Sequence, residues 1–203
     1  SSSSYCSRLL LALHGLFPTR TRNVTALGLA FLALLGFTTA AVGFAMDLTI
    51  EYLNLSRRAL YHSLDPQPDS FGITLARLVV WVVPTLVLST LAIYATKVLS
   101  PLAAGSGIPE MKWILAGSST PHASYLSLRT LGAKTLGLTL ALGAGLPLGK
   151  EGPFVHISCA IVEALVRMPG FARIGRSKPR KLQMLAVGCA VGGWSTCGAP
   201  SGG

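Results

Sequence analysis

The residue types that could do chemistry are concentrated in two short segments of similar pattern. The first reads Gly105-Ser106-Gly107-Ile108-Pro109-Glu110 and the second reads Gly149-Lys150-Glu151-Gly152-Pro153. Each places glycines around a polar residue and follows them with a proline and an apolar run. Proline suits the first turn of a helix, because its missing N–H costs no hydrogen bond there, and glycine lets the preceding backbone turn sharply. Both segments therefore predict the N-terminus of a helix.

A pair of such helix ends in an apolar chain indicates an anion site. The first N–H groups of a helix have no partner within it and carry partial positive charge. Irregular backbone at membrane depth is tolerated where it lines a cavity or is covered by protein, and paired interrupted helices are typical of a transport site. The pattern predicts a buried anion site built from dipoles rather than full cations. Two ordinary glycine-proline loops are the alternative.

Glu151 favours the transport interpretation, because an acid between apolar segments is costly and is functional by default. Its carboxylate is itself an anion, so it could occupy the place of a permeant ion and leave on protonation. Ser106 could donate a hydrogen bond to an anion, or it could be an ordinary turn residue. The residue pattern leaves that choice open.

The composition indicates a chain surrounded by lipid. Of 203 residues, 51% are hydrophobic and 12% are charged, with a mean hydropathy of +0.58, whereas soluble domains carry about 25% charged residues. The net charge is +10, but the bases lie at the ends of apolar runs, as in membrane proteins and unlike nucleic-acid binders. The cysteines lack metal-ligand spacing and no nucleophile motif is present. We therefore expect no enzyme, catalytic residue, metal or cofactor, and disfavour a membrane enzyme using Glu151 and His156.

The apolar runs predict an all-α, polytopic membrane protein with broken helices. A short interfacial helix is expected within residues 1–20, and residues 21–203 are expected to form membrane helices. The predicted segments are spans at 23–46 and 71–98, a short helix at 108–115, an apolar stretch at 125–148, a helix at 153–168 and a final apolar run at 182–197. Polar residues 56–70 and basic residues 173–181 are predicted loops. The loop-like end after residue 197 suggests a piece of a longer chain.

The basic residues also predict the orientation. Arg8, Arg20 and Arg22 precede the first span, and five bases lie within residues 173–181. Because short cytosolic loops carry an excess of Lys and Arg, both regions are expected in the cytosol. The N-terminus would then be cytosolic and residues 56–70 would lie outside.

Both motifs, in this order, closely resemble signatures of the CLC family of chloride channels and chloride/proton exchangers. The resemblance extends over about residues 7–203 and corresponds to the N-terminal part of the family's membrane domain. It implies the CLC-type fold with inverted repeats, and a homodimer with one anion pathway in each subunit. The variants around Met111 and Phe154 resemble the plasma-membrane channel branch of animals.

The resemblance also assigns roles to residues of this chain. It implies that Ser106 coordinates chloride, that backbone amides around Gly105, Gly107, Lys150 and Gly152 line the path, and that Glu151 is the gate. A voltage- and pH-gated chloride channel is the favoured function, and a chloride/proton antiporter is the alternative. The residue that separates the two in this family, and the remaining anion-coordinating motif, are expected beyond Gly203.

The sequence leaves two interpretations open for each of three other residues. His156 could be a proton partner of Glu151, although a packed or hydrogen-bonded histidine is favoured. Glu110 could be structural or functional in the first turn of its helix. Lys150 could add positive potential to the pathway, or a neighbouring helix could bind it.

Overall fold

The computed structural model describes residues 22–63, 71–117 and 122–197, which are helical apart from short connections. The interfacial helix predicted within residues 1–20 lies outside the described residues. No strand occurs in the part of the chain that is described, so the all-α prediction is confirmed. In chain order the helices are α1 Arg22–His62, α2 Phe71–Leu99, α3 Ile108–Leu115, α4 His122–Tyr125, α5 Leu128–Gly143, α6 Glu151–Val166, α7 Ala172–Gly175 and α8 Lys178–Cys197. Two 3₁₀ turns lie at Pro101–Ala103 and Pro169–Phe171.

Helices α1 and α2 are long and apolar enough to cross a membrane. Large apolar side chains cover their outer surfaces, including Phe37 at 73% exposure and Leu78 at 60%, as expected of surfaces that face lipid. Helix α1 has 41 residues, which at 1.5 Å per residue is about 60 Å and exceeds a hydrocarbon core of about 30 Å. It therefore extends well beyond one face of the membrane. The predicted loop at residues 56–70 is wrong over residues 56–62, which continue α1.

The core forms around α6, a helix of 16 residues that is buried along almost its whole length. Helix α5 also has 16 residues, and both are shorter than the roughly 20 residues that a full span needs. Helix α6 and the following segment Pro169–Gly175 meet at a bend of 89°. Helices too short to span would bring the irregular backbone beside them to membrane depth, where it must line a cavity or be covered by protein.

Two predicted boundaries need correction around α6 and α8. Helix α6 begins at Glu151 and ends at Val166, rather than running from 153 to 168, because Glu151, Gly152 and Pro153 all fit the first turn, where no intrahelical N–H bond is needed. The basic segment 173–181 is not a continuous loop, since α7 occupies its start and α8 begins at Lys178. The prediction of a helix over residues 108–115 is confirmed by α3.

Glycines on α8 allow this helix to lie directly against α6. A Cβ at Gly188 would lie 2.8 Å from Val162 Cγ2, and a Cβ at Gly192 would lie 2.7 Å from the Phe154 carbonyl oxygen and 2.8 Å from Val155 Cα. Real Cβ atoms do not approach other atoms so closely, and backbone atoms cannot rotate away as a side chain can. The α6–α8 contact therefore requires glycine at position 192, in keeping with the small residues that membrane helix interfaces use.

We expect Gly192→Ala to destabilise the complete protein by about 1–3 kcal/mol, the usual cost of overpacking a tight core. Gly193→Ala is the matched control, because no described atom lies within 4 Å of a Cβ there. Thermal unfolding in detergent compares the two variants. Equal midpoints would show that α6 and α8 do not need this close approach.

Candidate anion site

The two glycine-proline segments interrupt the helices and are called here the first break, residues 105–110, and the second break, residues 149–153. In the first break, Ser106 lies between two glycines with left-handed backbone conformation. Gly105 has φ of 82° and Gly107 has φ of 88°, a region that side chains other than glycine rarely adopt. Gly107 is the N-cap of α3, and Pro109 is the second residue of that helix. The Met111 N–H donates to the Gly107 carbonyl at 3.0 Å. The N–H groups of Ile108 and Glu110 come before this first i→i−4 hydrogen bond of α3 and have no partner within the helix. This is the helix N-terminus that the sequence predicted.

The second break is built differently from the first. Its left-handed glycine is Gly145, with φ of 81°, directly after α5, whereas Gly152 lies within the first turn of α6. The Phe154 N–H donates to the Lys150 carbonyl at 2.9 Å, so the N–H groups of Glu151 and Gly152 have no partner within the helix. The predicted helix N-terminus is present, but the sharp turn comes several residues before the Gly149–Pro153 motif.

The two breaks touch each other in the folded chain. A Cβ at Gly152 would lie 2.7 Å from Ser106 Cβ and 3.4 Å from Ser106 Cα. A Cβ at Gly107 would lie 2.7 Å from His156 Cβ, one turn further along α6. The N-terminal ends of α3 and α6 are therefore in direct contact at two glycines. This arrangement brings Gly105, Ser106 and Gly107 beside Glu151 and Gly152, as an anion site made from two helix ends requires.

Lys134 on α5 holds the carbonyl groups of the first break. Its side chain is 4% exposed, and its Nζ donates to the Ala103 carbonyl at 3.1 Å and to the Gly105 carbonyl at 2.8 Å. Carbonyl dipoles that pointed at an anion would repel it, so binding them to an ammonium group favours a site lined by N–H groups. The sequence motifs assign no role to Lys134, although a lysine inside an apolar run is itself a signal of function.

His156 is packed against Tyr125 beside the first break. It is 1% exposed, its ring stacks on the Tyr125 ring at 4.0 Å with 7° between the planes, and its Nε2 lies 2.9 Å from the Tyr125 carbonyl oxygen. The Tyr125 hydroxyl in turn donates to Glu110 Oε2 at 3.5 Å. The structure thus gives His156 the packed, hydrogen-bonded setting that was favoured, and gives Glu110 a structural contact.

Lys150 is bound by a neighbouring helix. Its Nζ forms an ion pair with Asp47 Oδ1 on α1, the second of the two alternatives that the sequence left for this side chain. The pairing partly neutralises the positive potential that Lys150 brings to the site. The next residue, Glu151, is exposed in the first turn of α6. The site therefore combines free N–H groups and a hydroxyl with an acid that is accessible to solvent or ions.

Comparison with known proteins identifies the family. A family model described as voltage gated chloride channel matches residues 86–203, which is more than half of the chain and includes both breaks. The chain belongs to the voltage gated chloride channel (CLC) family. The predicted resemblance is thereby confirmed, and the chain is part of a multi-pass membrane protein.

Relatives and a solved CLC structure agree with this assignment. The chain is 42% identical to "Chloride channel protein clh-3" of Caenorhabditis elegans over 204 residues, covering 100% of the chain and 19% of that protein. It is 41% identical to "Chloride channel protein 2" of Homo sapiens over 174 residues, covering 85% of the chain and 18% of that protein.

The solved structure, "Crystal Structure of a eukaryotic CLC transporter", matches with a TM-score of 0.76 at 40% identity, covering 84% of this chain and 30% of that one. The CLC fold is thus confirmed. The chain spans about a fifth of the length of the relatives that it matches.

The contact between the two breaks predicts different effects of two neighbouring glycine substitutions. Gly152→Ala would place a methyl group 2.7 Å from Ser106 Cβ, so we expect it to displace the first break and weaken halide binding to the complete protein. Gly149→Ala is the control, because no described atom lies within 4 Å of a Cβ at that position. Calorimetric titration with chloride tests the pair, and equal affinities would contradict the contact.

Proposed function

We propose that this CLC chain is the N-terminal part of the membrane domain of a chloride channel gated by voltage and pH. The observation that carries the proposal is the contact of Gly152 with Ser106, which joins two helix N-termini at one place. A site of partial charges binds an anion and still lets it leave, as conduction requires. We also propose two parts of the chain, residues 1–20 at the cytosolic interface and residues 21–203 in membrane helices.

Ser106 is the proposed side-chain ligand of chloride. Its Oγ accepts a hydrogen bond from the Ile108 N–H at 3.4 Å, which leaves its own O–H group available to donate to an anion. The backbone around Gly105, Gly107, Lys150 and Gly152 lines the rest of the path. The N–H groups of Glu151 and Gly152 lie at the start of α6, where the helix dipole favours negative charge.

Glu151 is the proposed gate. It lies in the first turn of α6, so its carboxylate is an anion held at the helix end that would otherwise attract chloride. When charged, it competes with chloride for that position. Protonation removes the competition and opens the path, which makes conduction depend on external pH and on voltage.

A chloride/proton antiporter is the second candidate. The solved structure that matches this fold is titled a transporter, whereas relatives at similar identity are named chloride channels. The names of the relatives therefore favour the channel. Both candidates use the same site and differ in whether chloride movement is coupled to protons.

We also propose the orientation, the oligomeric state and the membrane location of the chain. Five exposed bases lie at positions 167–180 around α7 and the start of α8, which supports a cytosolic position for that face and for the N-terminus. We propose a homodimer in the plasma membrane, with chloride as the transported ion and lipid around α1 and α2. Neither a cofactor, a metal nor a nucleic acid takes part, and the protein is not an enzyme.

Glu151→Gln keeps the size of the gate and removes its charge. In the complete protein we expect larger chloride currents and a much weaker dependence on external pH and voltage than in the parent, because the side chain can no longer compete as an anion. Whole-cell current across an external pH series measures this. Liposome proton flux then separates the two candidates, since in an antiporter the same change uncouples protons from chloride.

Ser106→Ala is the matched control for that experiment. It removes the proposed ligand hydroxyl and leaves the gate carboxylate, so we expect altered anion preference or conductance with pH dependence retained. A well-expressed Glu151→Gln protein with the parental pH and voltage dependence would remove Glu151 from the gate.

A further inference from the structure

Arg57 connects three parts of the fold through one guanidinium group. Its Nη1 donates to Thr85 Oγ1 on α2 at 3.2 Å and to the Ala144 carbonyl at 2.6 Å, and its Nη2 donates to Asn54 Oδ1 at 3.0 Å. The guanidinium also lies 4.5 Å from the centroid of the Trp81 ring, within the range of a cation–π interaction. Arg57 thus joins α1 and α2 to the end of α5.

The bond to Ala144 caps the C-terminus of α5. Ala144 is the C-cap of that helix, where unpaired carbonyl groups carry partial negative charge and a cation is stabilising. The next residue, Gly145, is left-handed, and a Cβ there would lie 2.8 Å from Arg57 Nη2 and 2.9 Å from Nη1. The guanidinium therefore lies against the turn at which the chain leaves α5.

The segment from Ala144 to Lys150 leads directly to Glu151, and α1 contacts it at both ends. Arg57 binds its first residue, and Asp47 pairs with Lys150 at its last. Between these two, Leu53 of α1 lies against α5, with its Cδ1 2.5 Å from where a Cβ of Gly143 would be. Asp47 and Arg57 are about 15 Å apart along the helix axis. Helix α1 thus fixes the span of backbone that precedes the gate.

We propose that Arg57 is a positioning residue for Glu151, acting through the Ala144–Lys150 segment. The proposal rests on the gate role of Glu151 proposed above. A charged carboxylate displaces chloride only when its backbone holds it at the anion position. A looser segment makes that docking more costly in conformational entropy. Loss of the Arg57 bonds therefore leaves the gate open a larger fraction of the time.

Two substitutions at Arg57, with a control at the next position, test this in the complete protein. Arg57→Gln removes the charge and the fork of donors, while Arg57→Lys keeps the charge and loses the fork. Arg58→Gln removes the same charge from an exposed neighbour. Chloride current, normalised to surface protein, is recorded across external pH and voltage, together with Glu151→Gln alone and combined with Arg57→Gln.

We expect Arg57→Gln to shift the open–closed ratio toward open by about five- to tenfold, which corresponds to the net contribution of one ordinary intramolecular hydrogen bond. Arg57→Lys is expected to fall between it and the parent, and Arg58→Gln to match the parent. Added to Glu151→Gln, Arg57→Gln is expected to change nothing further, because no gate carboxylate remains to be misplaced. Such non-additivity would indicate that Arg57 affects gating through Glu151.

Three results would overturn the proposal or its basis. Parental pH and voltage curves in Arg57→Gln and Arg57→Lys, beside a shifted Glu151→Gln, would remove Arg57 as a positioning residue and leave the gate intact. A full additional shift in the double variant would show a route that bypasses Glu151. Parental curves in Glu151→Gln would instead refute the proposed gate itself. If Arg57→Gln fails to reach the surface, Arg57→Lys alone decides the outcome.

Discussion

The close approach of Gly152 to Ser106 is the constraint on which the arrangement of this chain depends. A Cβ at Gly152 would lie 2.7 Å from Ser106 Cβ. Because glycine has no Cβ, the N-terminus of α6 can lie against the segment that precedes α3. Each helix end alone offers a few N–H groups and a partial charge. Side by side they concentrate that charge beside Ser106, which is exposed in the described residues, as is Glu151.

Backbone carbonyl groups at the first break and at the end of α5 are bound by cations from other helices. Lys134 of α5 binds the carbonyls of Ala103 and Gly105, and Arg57 of α1 binds the carbonyl of Ala144. Buried carbonyls need partners, and carbonyls facing an anion would oppose its binding. Satisfying them with side-chain donors addresses both needs. The two breaks then contribute the N–H groups of Glu110, Glu151 and Gly152, which have no partner within their helices, while the Ile108 N–H donates to Ser106 Oγ.

Much of this arrangement follows from local sequence. Apolar run length predicted α2 and the start of α1. The glycine-proline pattern predicted the start of α3 at residue 108 and a helix N-terminus at residue 153, two residues after the observed start of α6 at Glu151. These features depend on neighbouring residues, which sequence reasoning can evaluate. The continuation of α1 through residues 56–62 does not follow from the local sequence, because these residues include two arginines and form no long apolar run. Arg57 is stabilised there by contacts with α2 and α5.

Long-range partners could not be derived from the sequence. The Asp47–Lys150 ion pair joins residues that are 103 positions apart, and nothing in the local pattern of either residue specifies the other. The same holds for Arg57 with Ala144 and for Lys134 with Gly105. The role of Gly152 also depends on tertiary packing, since its glycine is needed for contact with Ser106 rather than for a left-handed turn.

The location of a bound halide tests the central claim most directly. Crystals of the complete protein grown or soaked in bromide would show the ion by its anomalous scattering. We expect density beside the Ser106 hydroxyl and the N–H groups at the start of α6, with more of it in Glu151→Gln, where no carboxylate competes. Bromide found solely among the exposed bases at positions 167–180, and absent between the two helix N-termini, would contradict the account.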